Sequence, residues 1–388
     1  MVVCTGCSCL CDDIVLQDGK ILHTCRKGVK LFRAERNTPL IDSKPSDIEE
    51  ALKAAGEIVS NSDNLVIYGL DTIPCEAQEK AIELAKEKGA AIDDCSSFCL
   101  GDLVELVLKG ELPTATLDEV RDNAYVIVYW GANPHQSLPR HMSRFTYYPR
   151  SGKRQRGYEE DRYLVVVDVR LSETAKLARK GGKFIMGSDA DVIDSFLKAL
   201  DGKAGKHPEV AAIIKEMQRA DFNVIFGGLG LKYGLGGDYS RFIEMVERLN
   251  EFTRVAFIPA GFHANMRGFN ELMFRKTGVV NAYDFSSNER VAFSEAIMKA
   301  DAALIIGSDP VKSLPWHVAK RLAEIDTILV DPSPSLTSRV AKVIIPTAIS
   351  GIDQGGTMVR SDGVAVELQP FKEGLEDVSV ISSLMEGV

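Results

Sequence analysis

From Thr38-Pro39 onward the chain alternates short apolar runs with amphipathic stretches of helical period. The runs are NLVIYG (64–69), YVIVYWG (125–131), YLVVVDV (163–169), NVIFGG (223–228), RVAFIPAG (254–261), AALIIG (302–307), TILVD (327–331) and KVIIP (342–346). Each is short, rich in β-branched residues and bounded by Gly, Asp or Pro, as strands buried on both faces of a parallel sheet read. Between them, IEEALKAAGEIV, DVIDSFLKAL and RFIEMVERLN repeat apolar positions every three or four residues. Ser46-Asp-Ile-Glu49 reads as a capping box ahead of the first. The alternation predicts a doubly wound α/β fold.

The pattern also repeats within the chain. YVIVYWGANPHQSLPRHMSRF (125–145) aligns with AALIIGSDPVKSLPWHVAKRL (302–322). Each copy reads strand, Gly-[AS]-[ND]-Pro, two residues, Ser-Leu-Pro, one residue, His, then a helix. A further strand ending in Asp follows each, at Asp168 and Asp331. The basic, aromatic segment YYPRSGKRQRGYEEDRY (147–163) lengthens the first copy. Gly131 and Gly307 let backbone approach a ligand closely, and a loop ahead of a helix leaves N–H groups for phosphate oxygens. Asp168 and Asp331 can accept hydrogen bonds from a ribose or from guanine. One such loop is an ordinary turn; two matching loops point to two nucleotide half-sites. Neither carries GxGxxG, which argues against a plain NAD enzyme.

Composition narrows the class. A chain of 388 residues, 45% apolar and 26% charged, predicts two or three globular domains with full cores. The net charge of −9 excludes a general nucleic-acid binder. No apolar run approaches the ~20 residues of a membrane span. No basic-then-apolar export signal opens the chain, so its eight cysteines point to a reducing cytoplasm.

Five of those cysteines fall in the first twenty-five residues: Cys4, Cys7, Cys9, Cys11 and Cys25. Three closely spaced thiols with a fourth after thirteen intervening residues suit a [4Fe–4S] cluster better than zinc, which usually brings a second CxxC or a His pair. Cys9 is expected to point away from the cube as a buried thiol.

Together, the cluster motif ending Cys25-x-Lys27-Gly28, the paired GANP and GSDP loops and the Asp-ended strands resemble the molybdopterin oxidoreductase superfamily. CTGCSCLCDDI, YWGANPHQSLPRHMSRF and GFHANMRGFNE are similar, within it, to the B subunit of formylmethanofuran dehydrogenase, and the resemblance covers essentially the whole chain. It implies a tungsten or molybdenum ion held by two pyranopterin guanine dinucleotides (bis-molybdopterin guanine dinucleotide) and one cysteine or selenocysteine. It also implies a small Fe–S domain plus two related doubly wound α/β domains of formate dehydrogenase/DMSO reductase type, without the terminal β-barrel. The expected division is 1–45 for the cluster domain, 46–99 with 236–345 for the first α/β domain, 100–235 for the second, and 346–388 as a pterin-contacting tail.

The same resemblance assigns residues. Cys4, Cys7, Cys11 and Cys25 ligate the cluster, and Lys27 lies between cluster and pterin. Cys99, in SSFCLGD, is the metal ligand, followed by Leu100 where the family carries His. Arg267 matches the family's active-site arginine, whose fixed charge can hold CO2 or formate oxygens. His263, four residues earlier, is a candidate for the acid–base role that Leu100 cannot fill. Gly131, Asn133, Pro134, Asp168, Gly307, Asp309 and Asp331 belong to the dinucleotide loops. Gly187 and Asp189 match an element near guanine, and Gly356-Thr357 a later pterin element. The Asn-x-Glu-Gly-Arg that should follow is here Arg360-Ser-Asp-Gly-Val364. His135, His141 and His317 are structural or cofactor-contacting. The implied activity is reduction of CO2 to formate in the first step of methanogenesis. The implied partners are the A, C and D subunits of that enzyme and a polyferredoxin or ferredoxin-like donor. The alternatives are a metal-free B-like member of a formyltransferase/hydrolase complex and a non-catalytic Fe–S scaffold.

Overall fold

A computed structural model describes residues 1–386. Among these residues two sheets are built on parallel strands, numbered here in chain order: β1 (Leu65–Gly69), β2 (Ala91–Asp93), β3 (Val126–Trp130), β4 (Tyr163–Asp168), β5 (Lys183–Met186), β6 (Phe222–Gly227), β7 (Arg254–Pro259), β8 (Ala302–Ile306), β9 (Asp326–Val330) and β10 (Val343–Ile345). The eight apolar runs of the sequence all become strands. The predicted α/β class is what the structure has.

The chain divides into two compact units. Unit 1 holds Met1–Gly101, His263–Arg360 and the chain from Ala365 onward; unit 2 holds Asp102–Phe262 and Ser361–Val364. These limits differ from the expected ones. Strand β7 pairs in parallel with β6, so residues up to 262 stay in unit 2 rather than leaving it at 235. The first forty-five residues do not stand apart either. Val3 and Leu10 share a buried cluster with Ala264, Met358 and Leu368, and Thr5 Oγ1 donates to the Ser350 carbonyl at 2.7 Å.

In unit 1 the parallel order is β2-β1-β8-β9-β10, with antiparallel edge strands at Tyr283–Asp284 and Glu289–Arg290 on one side and Leu40–Ile41 and Lys44–Pro45 on the other. Alternate residues of each run go to opposite faces. Leu65, Ile67, Leu304, Ile306, Ile328 and Val330 pack beneath the helices Ile48–Asn61, Cys75–Lys88 and Asp377–Met385. Val66, Tyr68, Ala303, Ile305 and Leu329 pack on the other face, against Phe293, Ile297, Val318 and Leu322. Two buried faces explain why these strands read as unbroken apolar runs. The cap of Ile48–Asn61 falls one residue later than the sequence suggests: Asp47 accepts from the Glu50 N–H at 2.8 Å, and Ser46 bonds the Glu50 carboxylate.

In unit 2 all neighbours are parallel, in the order β5-β4-β3-β6-β7. Trp130, at the end of β3, is fully buried between Phe196 and Phe242. The basic insertion folds back on this unit through Arg162, 1% exposed, which donates to the carbonyls of Val120, Ala124, Arg121 and Pro149. Its charge caps a helix end rather than meeting a ligand. Among the described residues no helix is long and apolar enough to cross a membrane.

Strand order reverses between β1 and β8 in unit 1, and between β3 and β6 in unit 2. Ligands of doubly wound sheets bind at the carboxyl ends of strands beside such a reversal. In unit 1 the two strands approach so closely there that a Cβ on Gly69 would overlap the Ile306 carbonyl oxygen, and Gly69 itself has φ 114°. Gly69→Ala should therefore lower stability by about 2 kcal/mol or more, read as a fall in the urea midpoint. Gly56→Ala, inside the helix Ile48–Asn61 with open space around it, should raise it by up to ~1 kcal/mol.

Candidate active site

The two repeated loops are congruent. Gly131 and Gly307 have φ 58° and 59°, and their N–H groups donate to Val167 and Val330 at 2.8 and 2.9 Å. Asn133 Oδ1 accepts from the Thr174 N–H and hydroxyl at 3.3 and 2.7 Å; Asp309 Oδ1 accepts from the Thr337 N–H and hydroxyl at 3.0 and 2.7 Å. The His135 and Val311 N–H groups each donate to the hydroxyl of that threonine at 3.3 Å. The side chains of Asn133 and Asp309 thus shape the loops, with Pro134 and Pro310 opening the short helices behind them. The histidines of the repeat diverge: His141 is buried against the Tyr129 hydroxyl at 3.0 Å, whereas His135 and His317 are exposed.

Asp168 ends β4 and Asp331 follows directly on β9, and they accept from the Arg170 and Ser333 N–H groups at 3.2 and 2.8 Å. Burial, with Asp377, Asp309 and Asp71 nearby, pushes Asp331 up to about 7. Asp189 is buried and accepts from the Trp130 indole at 2.6 Å; burial raises it, and Gly187 precedes its helix. Gly356 opens a hairpin strand, and the N–H of Thr357 donates to both oxygens of Glu76.

At the N-terminus, Val2–Cys4 pairs with Cys11–Gln17 so that Cys4 lies opposite Cys11, and the loop between them carries Cys7. Cys25 is the N-cap of the helix Arg26–Phe32, which also holds Lys27. Gly28 comes close to Cys4: a Cβ there would sit 3.1 Å from its sulfur and overlap Thr24. Cys9 lies in the same loop and is 1% exposed, a buried thiol as expected. Its thiol hydrogen-bonds with Cys7 and, through that bond, burial and the nearby Cys7, Cys11 and Cys25, is pushed well above its ordinary value.

Cys99 ends a tight turn that follows β2, and buried polar groups fix that turn. Asp93 accepts from the N–H groups of Asp94, Ala282 and Phe293 and from Ser97, while Asp94 accepts from the Ser96 N–H at 3.1 Å. Asn270 and Asn281 donate to the Ser96 hydroxyl at 2.8 and 2.6 Å. Asn270 lies on the helix Met266–Thr277, one turn beyond Arg267. Arg267 is 8% exposed, with its Nε donating to Glu271 at 2.6 Å, so its terminal nitrogens are the ones left for an anion. Leu100 is 1% exposed and belongs to the core.

His263 is held by a residue that the sequence did not single out. Its Nδ1 meets the carboxylate of Asp71, just past β1, and these atoms and the Cys95 sulfur lie within 4.8 Å of one another. Burial alone would raise Asp71; the charge of His263 beside it brings it below the usual carboxylate value. Burial and then the Asp71 charge push Cys95 well up. An Asp that follows a strand was the available signal, and it is too common to single one out. Cys99, Arg267 and His263 all lie in unit 1 with the N-terminal thiols and the Asp331 loop; the Gly131, Asp168 and Asp189 loop lies in unit 2.

The B subunit of tungsten-containing formylmethanofuran dehydrogenase 2 from Methanocaldococcus jannaschii is 32% identical to this chain, in an alignment covering 100% of the chain and 98% of the relative. The protein of the same name from Methanococcus maripaludis is 29% identical with the same coverage. Among solved structures, a chain of the formyltransferase/hydrolase complex from Methylorubrum extorquens, crystallised with methylofuran, superposes with a TM-score of 0.69 at 20% identity, over 90% of this chain and 98% of that one. That likeness concerns the fold. No family model matches the sequence.

The buried carboxylates give a pH dependence. Burial raises Asp93 and Asp377 to about 6 and Asp331 to about 7. A carboxyl raised in the native state holds its proton more tightly there than when unfolded, so stability falls as pH climbs from about 4 through these values. Thermal unfolding should thus have a higher midpoint near pH 5 than near pH 8, and Asp331→Asn should narrow the difference.

Proposed function

The chain belongs to the family of formylmethanofuran dehydrogenase B subunits, and on that footing we propose that it is the catalytic component that reduces CO2 to formate. The proposal includes a tungsten ion on two pyranopterin guanine dinucleotides and a [4Fe–4S] cluster at the N-terminus. When bound, these groups supply the two-electron chemistry and the path by which the electrons arrive. Tungsten is favoured over molybdenum by the names of the relatives.

The residues present fit such groups. Cys99 offers a soft thiolate on a turn fixed by buried hydrogen bonds, at the carboxyl edge of a sheet beside its strand-order reversal. Cys4, Cys7, Cys11 and Cys25 would hold the cluster, and the missing side chain of Gly28 leaves room at Cys4. Lys27 would lie between cluster and pterin. The loops around Gly131 and Gly307 would take one dinucleotide each, with Asp168 and Asp331 accepting from guanine or ribose. Asn133 and Asp309 would act by shaping the loops. Asp189, with one oxygen on Trp130, and Gly187 would complete the first site; Gly356 and Thr357 would border a pterin.

Arg267 would bind the substrate oxygens through its terminal nitrogens while Glu271 holds Nε, stabilising charge that develops on the carboxylate. His263 would exchange the proton through Nε2, across the ring from the nitrogen that Asp71 engages. The single observation that carries the reading is this set: Cys99, Arg267 and His263 on three segments of unit 1, tied together by Ser96–Asn270 and the Asp71–Cys95–His263 group. The A, C and D subunits of such an enzyme and a ferredoxin-like donor would be the partners, with formate passing to the A subunit. The alternative of a metal-free B-like component draws on the fold of the formyltransferase/hydrolase chain and on Leu100. Retention of five candidate ligand cysteines runs against it.

Cys99→Ser in the anaerobically purified complex should alter the tungsten spectrum and remove most formate turnover, while about four irons per chain remain. An unaltered tungsten spectrum would sink the ligand assignment.

A further inference from the structure

Strand β1 ends on two residues with left-handed backbone, Gly69 (φ 114°) and Leu70 (φ 74°). For a leucine this region is an outlier that persists only where neighbouring contacts over-determine it, and such residues collect at functional sites. The next residue is Asp71, and the turn drives its carboxylate into the interior, where it is 1% exposed. Its main chain is pinned, because the Asn265 N–H donates to the Asp71 carbonyl at 2.8 Å. Gln78 in turn donates to the carbonyls of Leu70 and Asn265 at 2.8 and 3.0 Å. These bonds tie the segment before the helix Met266–Thr277, which carries His263, to the end of β1. The carboxylate meets His263 Nδ1, a quarter-exposed imidazole, and the Cys95 thiol.

We propose that Asp71 is a positioning residue: by engaging Nδ1 it fixes the tautomer and orientation of His263 and makes Nε2 the atom that carries the proton. The proposal rests on the catalytic reading above. CO2, two electrons and one proton give formate; the electrons come through the redox groups of that reading, and the proton is the one on Nε2, replaced from solvent. A neutral imidazole whose Nδ1 faces a carboxylate can take a proton at Nε2 as formate is oxidised and give it back as CO2 is reduced. The trio also has metal-ligand composition. Cys95, however, is kept as a thiol by burial and by the charges of Asp71 and Asp94. The other charged or titratable groups on the elements around the pair include Tyr68, Asp93, Asp94, Cys99 and Asp331, with Arg267 and Glu271 on the helix.

In the holoenzyme complex, Asp71→Asn should lower kcat for formate oxidation by about 10²-fold with KM roughly unchanged, and Asp71→Glu should recover part of it. A second readout needs no turnover. Modification of His263 by diethyl pyrocarbonate at one fixed pH, mapped by peptide mass, should run faster in Asp71→Asn than in the parent, because the ring is no longer held against the carboxylate. Iron content and the tungsten spectrum should match the parent. An unchanged kcat, or an unchanged modification profile, overturns the proposal. Loss of one zinc per chain in Asp71→Asn would make the trio a metal site and also overturn it. A parent complex without formate turnover overturns the catalytic reading instead. If Asp71→Asn does not assemble, His263→Gln should show the same loss of kcat with KM kept, and full activity there is contradictory.

Discussion

The N–H of Leu70 donates to the Ile306 carbonyl at 2.8 Å, at the place where β1 and β8 part. Much of unit 1's site geometry follows from that bond. It requires a residue without a side chain at 69 and a left-handed turn at 70, and so it sends Asp71 inward. On the other strand, the residue after Ile306 is Gly307, whose carbonyl accepts from Thr72 at 2.7 Å. One backbone contact therefore sets both the carboxylate under His263 and the loop read as a dinucleotide half-site. Strand order reverses there, and the crevice a reversal leaves is the place a ligand can enter without opening the sheet.

The congruent loops give the repeat a physical meaning. In each unit a threonine after the Asp-ended strand satisfies the Asn or Asp of the Gly-x-[ND]-Pro turn, using its N–H and hydroxyl in the same way. This fixes the backbone of the loop. What remains at each loop is a glycine in left-handed conformation and an Asp at the strand end. The histidines of the repeat diverge: His141 packs on Tyr129, while its counterpart His317 is exposed.

The strands were legible because burial on both sheet faces forces continuous apolar runs, and one-sided helices because they do not. Lys183–Met186 escaped as a strand since it lies at the sheet edge with Lys183 and Met186 exposed, and Ala91–Asp93 because three residues carry no pattern. Unit limits were misjudged at β7, since nothing in RVAFIPAG says which sheet it joins. The cysteines, Arg267 and His263 stood out by residue type and setting. Asp71 did not, because its significance lies in a turn at 69–70 and in a partner nearly two hundred residues away.

The central claim is that this chain carries both the redox metal and the cluster that feeds it. The most direct measurement is the metal and pterin content of the complex purified without oxygen, counted per copy of this chain. The account predicts one tungsten, about four irons beyond those of other subunits, and two guanine nucleotides released by acid hydrolysis of the pterin. Iron without tungsten and guanine nucleotide would make the chain an electron-transfer scaffold, and the absence of all three would contradict the account entirely.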